Sequence, residues 1–391
     1  MGLDKVRGVL AICIHCGDCF AHGPSSPFKE DVIPPPYVRC PCYERFHFVS
    51  YTLRGILDIA EAVYHRGFPI TPDVIKRVYS CVTCGLCAEE CTLGANTLPV
   101  IRAFREEIVE RGLGPPEPNR KVDENISEVH NPFGQRAEER GKWAEEFKLP
   151  ATGPDLLFAG CLNSYWSPES AKATVRVLKA AGIEVAYLGA EEWCCGTHPG
   201  WDGQVRLEEK MARHNLEATK AAGAKRAIFA CPSCYRTFKE DYPEIMGQLP
   251  FDVIHITELI AELIDEGKIK FKGYAQKLTY HDPCHLGREL KIYEPPRKVL
   301  TSIPGVELGE MNRHGRWAWC CGGGAGVTAF ADPEFSQWTA KQRLLEAKEA
   351  ADMLVTACPL CFHNFSTTAE KENIGMTIYD FSVLVAEAMG V

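Results

Sequence analysis

This 391-residue chain has no apolar run of about 18 residues, which argues against a membrane-spanning helix of its own. It has no basic excess either. With 43 Lys and Arg against 52 Asp and Glu, the formal net charge of −9 argues against nucleic acid as the main partner. The opening Met-Gly-Leu-Asp-Lys-Val leads into an apolar run that is short and soon interrupted by Cys13 and Cys16, unlike a secretory signal. Val6 stands where N-myristoylation requires Ser or Thr. The run Gly322-Gly323-Gly324-Ala325-Gly326 lacks a dinucleotide-fingerprint context and a phosphate-binding lysine. The composition, 46% hydrophobic and 24% charged, is that of a globular protein, and the length predicts two to three domains of about 100–200 residues.

Cysteine, by contrast, is abundant. Eighteen of the 19 cysteines fall into four ordered sets. The first is Cys13, Cys16 and Cys19 with Cys40 downstream, and the second is Cys81, Cys84, Cys87 and Cys91. The third is Cys161, Cys194, Cys195, Cys231 and Cys234. The fourth is Cys284, Cys320, Cys321, Cys358 and Cys361, leaving only Cys42 outside the pattern. A chain of this length can bury a core without disulfide staples, so close-spaced thiols read as ligands for a soft metal in a reducing, cytoplasmic compartment. Iron–sulfur clusters fit the spacing best; zinc is the other metal that takes four thiolates.

Residues 1–112 carry the first two sets. Between them a helix is predicted from Tyr51 to Arg66, with Leu53, Ile56, Leu57, Ala60, Val63 and Tyr64 on one face. A second is predicted from Pro99 to near Gly112, presenting Val100, Ile101, Phe104 and Ile108. Residues 113–154 open with Gly114-Pro115-Pro116-Glu117-Pro118 and read as an extended connection over the surface.

The remainder is an internal repeat. Cys161 to Cys284, Cys194 to Cys320, Cys231 to Cys358 and Cys234 to Cys361 are separated by 123, 126, 127 and 127 residues. Ala227-Ile228-Phe229-Ala230-Cys231-Pro232 has its counterpart in Met353-Leu354-Val355-Thr356-Ala357-Cys358-Pro359. Near-constant spacing of this size means a duplicated domain. Within each copy, apolar runs such as Leu156–Ala159 and Val185–Leu188 read as strands. Ser167-Pro168 opens a helix that ends near Gly182. The predicted fold class is α/β with mostly parallel strands, preceded by a helical region. Cys161, Cys231, Cys284 and Cys358 sit just past predicted strands, where open α/β sheets build ligand sites. Each repeat offers five thiols where a cubane [4Fe-4S] cluster needs four, and the glycine after each Cys-Cys pair permits the turn that aims both sulfurs at one place.

The amino-terminal sets resemble two-cluster ferredoxins, in which the last cysteine of each run binds the other cluster. That resemblance assigns Cys13, Cys16, Cys19 and Cys91 to one [4Fe-4S] cluster and Cys81, Cys84, Cys87 and Cys40 to the other. The first run departs from the usual spacing at Cys40. The proline expected after the last cysteine is kept as Pro41 but replaced by Thr92. The double C…CCG…CxxC arrangement resembles the catalytic subunit of heterodisulfide reductase, and the fused front region resembles its single-chain form. The resemblance implies a ferredoxin-like domain over 1–112, a linker over 113–154 and two CCG domains over 155–272 and 273–391. It implies four [4Fe-4S] clusters, two cubane in front and one noncubane in each five-cysteine set. A small disulfide would be cleaved between the noncubane pair, or two thiols oxidised. Because no flavin or nicotinamide site is evident, electrons are expected from a flavoprotein, dehydrogenase or membrane cytochrome partner that holds the chain at the cytoplasmic face. The alternative expectation is an electron-transfer subunit without substrate chemistry of its own, passing electrons between a flavoprotein dehydrogenase, a bifurcating complex or a membrane cytochrome and quinone.

Other residues near the sets have two readings each. His285, with His281 and His198, is a candidate proton donor to a leaving thiolate or a plain hydrogen-bond partner of the metal site. Arg288, Arg313 and Arg316 would suit an anionic disulfide or cap backbone at the surface. Trp193, Trp317 and Trp319 are read as shields against water, and Cys42 as a small buried hydrophobe.

Overall fold

The computed structural model describes residues 2–20 and 40–391. The front region is helical among its described residues. Helices Leu53–Arg66, Pro72–Ser80 and Pro99–Glu110 pack their apolar faces around Ile56, Ala60, Val78, Ile101, Phe104 and Ile108. Thr52 and Thr71 start the first two by accepting the Gly55 and Val74 N–H groups, and proline at the first position pre-sets two of the three. These caps set where each helix begins, and so where the cysteine turns between them fall.

The connection over 113–154 is not extended. It folds into helix Glu117–Val129, which buries Asn119, Val122, Asp123 and Ile126 on one face. Its apolar stripe is only Val122 and Ile126, too short to announce a helix. The other buried positions are polar, and their burial is decided by the partners they meet.

The repeat builds two parallel sheets. Strands β1 (Asp155–Phe158), β2 (Arg226–Phe229) and β3 (Asp252–His255) lie in the order β1-β2-β3. Strands β4 (Gln276–His281), β5 (Val306–Leu308), β6 (Met353–Thr356) and β7 (Thr377–Asp380) lie in the order β5-β4-β6-β7. The predicted strand Val185–Leu188 makes a single bridge, Ala186 beside Leu156, at the place β5 takes beside β4. It stops there because the next amide, that of Tyr187, turns away to the carbonyl of Pro150. The predicted helix after Ser167 runs Pro168–Ala180.

The two sheets are tied by reciprocal packing. The helix leaving β3, Ile256–Asp265, packs on Glu294–Ser302 of the second repeat. The helix leaving β7, Phe381–Met389, packs on Pro168–Ala180 of the first. Both final helices are capped where they leave the strand, by His255 with Glu258 and by Asp380. One core, including Phe229, Ile260, Val299, Leu384 and Val385, runs through both repeats and fixes the relative position of their cysteine-bearing edges.

Candidate metal centre and cavity

Parallel pairing puts the C-terminal ends of neighbouring strands side by side. Cys161 and Cys231 follow β1 and β2, and Cys284 and Cys358 follow β4 and β6, so each sheet edge presents two cysteines a strand apart. In the first repeat the Sγ of Cys194 lies within hydrogen-bonding reach of those of Cys161 and Cys195. That of Cys234 likewise reaches Cys195 and Cys231. In the second, Cys321 reaches Cys320 and Cys361, and Cys361 reaches Cys358, with Cys284 facing the Cys320–Cys321 pair. Nine of these ten residues are buried, and Cys284 is half-buried.

The glycine after each pair is required by the backbone. Gly196 and Gly322 have φ of +93° and +90°. A Cβ at position 322 would stand 2.2 Å from the carbonyl oxygen of Ser336, whereas at 196 it would meet Glu208 Cγ at 3.3 Å. The turn also aims backbone donors at sulfur: Gly322 N–H donates to Cys320 Sγ at 3.2 Å and Gly323 N–H to Cys321 Sγ at 3.4 Å.

The two sites differ in their charges. At the first, buried Arg140 donates to Cys161 Sγ at 3.2 Å and pairs with Glu192 at 2.8 Å; Glu192 also accepts the N–H groups of Ala159 and Gly160. At the second, His281, Cys321 and Cys361 bring their ligand atoms within 4.8 Å of one another. Arg343 donates to His281 Nδ1 at 3.2 Å, which puts the ring hydrogen on Nε2. Sequence reasoning missed Arg140, whose residue number places it in the connector, and Arg343, which lies mid-helix with no motif around it.

In the front region, one small cavity is lined by Cys13, Cys16, Cys19, Cys91 and also Cys87. The Thr92 hydroxyl faces Cys16 Sγ at 3.9 Å. Cys40, Cys81, Cys84 and Cys87 form a second group through their mutual electrostatic influence. Burial pushes the Cys19 and Cys81 thiols up to about 12, and burial with neighbouring sulfurs raises Cys87 well above the ordinary thiol range. Cys84 reaches the sulfur of Cys320, which joins the second front group to the second repeat. Arg288 clamps this junction by donating to the carbonyls of Cys84 and Ala318. The donor set fits iron–sulfur clusters: soft, crowded thiols that can shed their protons together only against a cation.

A cavity of about 260 Å³ opens between the first cysteine set and the helices of the second repeat. Cys161, Cys194, Cys195, Cys231 and Cys234 line one wall, and Phe330, Leu360 and His363 are among the residues of the other. Among the described residues, no Lys, Arg, Asp or Glu lines it. His198 lines it too, and burial holds that ring down at about 3; burial also lowers His363. His285 does not line the cavity. It is buried behind Ser233, which does, with Nδ1 and Ser233 Oγ 3.0 Å apart and Nε2 facing Glu289 at 3.3 Å.

The three arginines stand elsewhere. Arg313 pairs with Glu346 and covers Trp319, Arg316 covers Trp317, and Arg288 is committed to backbone. Trp193 stacks between His130 and His214, outside the cavity lining. Cys42 is buried and donates its thiol to the carbonyl of Ser80.

Comparison with known proteins gives this arrangement its class. The cysteine-rich domain family CCG matches residues 156–239 and 278–366, one match on each repeat. Over 97% of its length the chain is 36% identical to a component of the dihydromethanophenazine:CoB–CoM heterodisulfide reductase of Methanosarcina barkeri, of which it covers 94%. It is 32% identical over 95% of its length to a component of the fumarate reductase (CoM/CoB) of Methanothermobacter marburgensis, covering 70% of that protein. It is 31% identical over 80% of its length to EtfAB:quinone oxidoreductase of Syntrophomonas wolfei, covering 47%. The chain belongs to the family of single-chain catalytic subunits of heterodisulfide reductase, which are iron–sulfur oxidoreductases. A hypothetical protein from Helicobacter pylori shares the fold, with a TM-score of 0.59 over 87% of this chain and 68% of its own, at 14% identity.

Two substitutions test the local geometry. Gly322→Ala will lower the iron content of anaerobically purified protein more than Gly196→Ala, because only at position 322 does the new Cβ meet backbone at 2.2 Å. Equal iron in the two variants would contradict that reading. Arg140→Met will strand buried Glu192 without its cation and cost about 3–5 kcal/mol in denaturant unfolding. A loss below about 1 kcal/mol would show that the pair contributes little.

Proposed function

We propose that this chain reduces a disulfide, or oxidises two thiols, as one part of a larger redox complex. Two noncubane [4Fe-4S] clusters would be held by Cys161, Cys194, Cys195, Cys231 and Cys234, and by Cys284, Cys320, Cys321, Cys358 and Cys361. Two cubane clusters in a ferredoxin-like domain over 1–112 would be held by Cys13, Cys16, Cys19 and Cys91, and by Cys81, Cys84, Cys87 and Cys40. When bound, the clusters supply single electrons, two of which are needed for one S–S bond. The residues 113–154 serve as the connection, and 155–272 and 273–391 as the two CCG domains. The observation that carries the reading is the convergence of each five-thiol set, one of them opening into a cavity of substrate size.

The chain's own residues set the order of events. The contact between Cys84 and Cys320 supports entry of electrons at the second repeat, with the cavity at the first as the destination. The lining supports a disulfide whose buried part is neutral and carbon-rich, since an anion there would meet no cation among the described residues. Overall, RSSR′ with two electrons and two protons gives RSH and R′SH. Ser233 Oγ stands at the cavity wall to pass a proton, and His285, hydrogen-bonded behind it and backed by Glu289, replaces that proton. The electron partner is a flavoprotein, dehydrogenase or membrane cytochrome. No described helix is long and apolar enough to cross a membrane, so attachment to one at the cytoplasmic face would run through that partner.

The experiment is electron paramagnetic resonance of the anaerobic protein poised oxidising, with and without thiols. A signal that appears only with added thiol, and more readily with neutral than with sulfonated or phosphorylated thiols, is expected. Silence with every thiol, together with co-purification of a flavoprotein, would favour a pure electron-transfer role. His285→Asn is expected to slow disulfide reduction on the order of 10²-fold with iron content unchanged. Unchanged turnover would remove His285 from the proton route.

A further inference from the structure

Two helices outside the cysteine sets bring together a second group of metal-ligating side chains. Asn119 and Asp123 sit four residues apart on helix Glu117–Val129, and His198 and Asp202 four residues apart on helix Thr197–Asp202. Residues at that spacing share one face of a helix, so each helix turns a pair toward the other. Asp123 Oδ1 and His198 Nε2 are 3.8 Å apart, and the ligand atoms of Asp123, His198 and Asp202 all lie within 4.8 Å of one another. Asn119 Nδ2 donates to Asp202 Oδ1 at 2.6 Å and so locks the amide with its oxygen elsewhere.

All four residues are at least nine-tenths buried. Yet Oδ2 of Asp202, Oδ1 of Asn119 and both ring nitrogens of His198 are buried without a hydrogen-bond partner, and the oxygens of Asp123 make no well-aligned hydrogen bond, though the side chains of Gln204 and Asp202 lie within reach of them. Leaving a buried polar atom in that state is costly, more so where it is charged. Among the described residues neither carboxylate is ion-paired with Lys or Arg. Arg105, whose charge is felt here, spends its guanidinium on the carbonyls of Val78, Cys81 and Trp201.

We propose that Asp123, Asp202 and His198 bind one divalent transition cation, of the zinc or manganese type, with Asn119 holding the Asp202 carboxylate in place. The rival occupant is a proton shared by the two carboxylates. A proton joins two atoms and leaves the imidazole unsatisfied. A cation takes all three side chains at once and cancels both negative charges. Imidazole with two carboxylates selects borderline divalent ions and disfavours calcium, which prefers oxygen throughout. His198 is suited to ligation because burial keeps it neutral. The cation would clamp the connector helix onto the first repeat, beside the cavity that His198 lines. It would also bear on the front region, whose Tyr79 hydroxyl donates to the carbonyl of Asp202 at 2.8 Å. This site is independent of the redox reading.

The test uses the full chain with its clusters, dialysed anaerobically against a chelator and then titrated with Mn²⁺. Free Mn²⁺ is counted by its room-temperature paramagnetic resonance signal. One Mn²⁺ bound per chain and displaced by Zn²⁺ is expected. In Asp123→Asn/Asp202→Asn the binding should vanish while iron and sulfide stay at the wild-type level, because the amides keep the shape and remove the charge. His198→Gln, a milder change, should weaken Mn²⁺ binding at least tenfold. Metal analysis of the protein as purified should show zinc or manganese in the wild type and not in the double variant. Binding that persists in the double variant, or wild-type protein that takes up neither ion, would overturn the site and leave the shared proton in its place.

Discussion

Crowded sulfur is the constraint on which this structure turns. Each sheet edge carries five thiols within reach of one another, and most are shut away from water. Burial and neighbouring sulfurs hold several of them, such as Cys234 and Cys361, well above the ordinary thiol range. Such a bundle has no way to become a thiolate cage by itself, because every charge added raises the cost of the next. Iron supplies the compensating charge, and the backbone supplies the rest: amides of Gly322 and Gly323 turned onto sulfur, and a glycine whose φ lets two adjacent cysteines face the same way. Parallel β structure places these groups, since only there do neighbouring strands end on the same side.

The duplication has not kept its halves equal. Each repeat lends its last helix to the other, so the two edges are fixed by one shared core and not by a hinge. Around that common frame the surroundings have diverged. The first site has Arg140 and Glu192 at its sulfur and a cavity at its mouth. The second has His281 and Arg343 and touches the front region through Cys84 and Cys320. In the proposed arrangement, a guanidinium donating to a ligand sulfur would favour the more reduced, more negative cluster, so Arg140 would raise the electron affinity of the first site, as the proposed inward flow requires.

Much of this was legible in the sequence because cysteine is rare and its spacing is rigid. The repeat, the strands before Cys161, Cys231, Cys284 and Cys358, and the special role of the glycines after each pair follow from local rules that tertiary packing respects. The helix Glu117–Val129 was not legible. Its buried face is half polar, and Asn119 and Asp123 are inside only because His198 and Asp202 meet them there. Arg140 was hidden for the same reason: a cation in a charged stretch looks solvated until Cys161 and Glu192 are seen beside it. Of the two readings of the arginines, the backbone-capping one holds for Arg288, and nearness to Cys320 in sequence does not turn Arg313 or Arg316 toward the cavity.

The neutrality of the cavity bears on how thiol products leave. Its rings, His198 and His363, are held uncharged by burial, and no carboxylate or basic side chain among the described residues joins them. In the proposed reaction, a thiolate freed there finds no basic side chain among the described lining residues, so its pKa would rise above the ordinary value of about 8.5 and it would take a proton before departing. Of the lining groups, Ser233 is the one whose hydroxyl is hydrogen-bonded to a titratable side chain behind the wall, His285, which in turn faces Glu289 near the surface. In the proposed reaction, the same burial that makes a charged product costly would couple proton delivery to product release, with the Ser233 hydroxyl and His285 as the route.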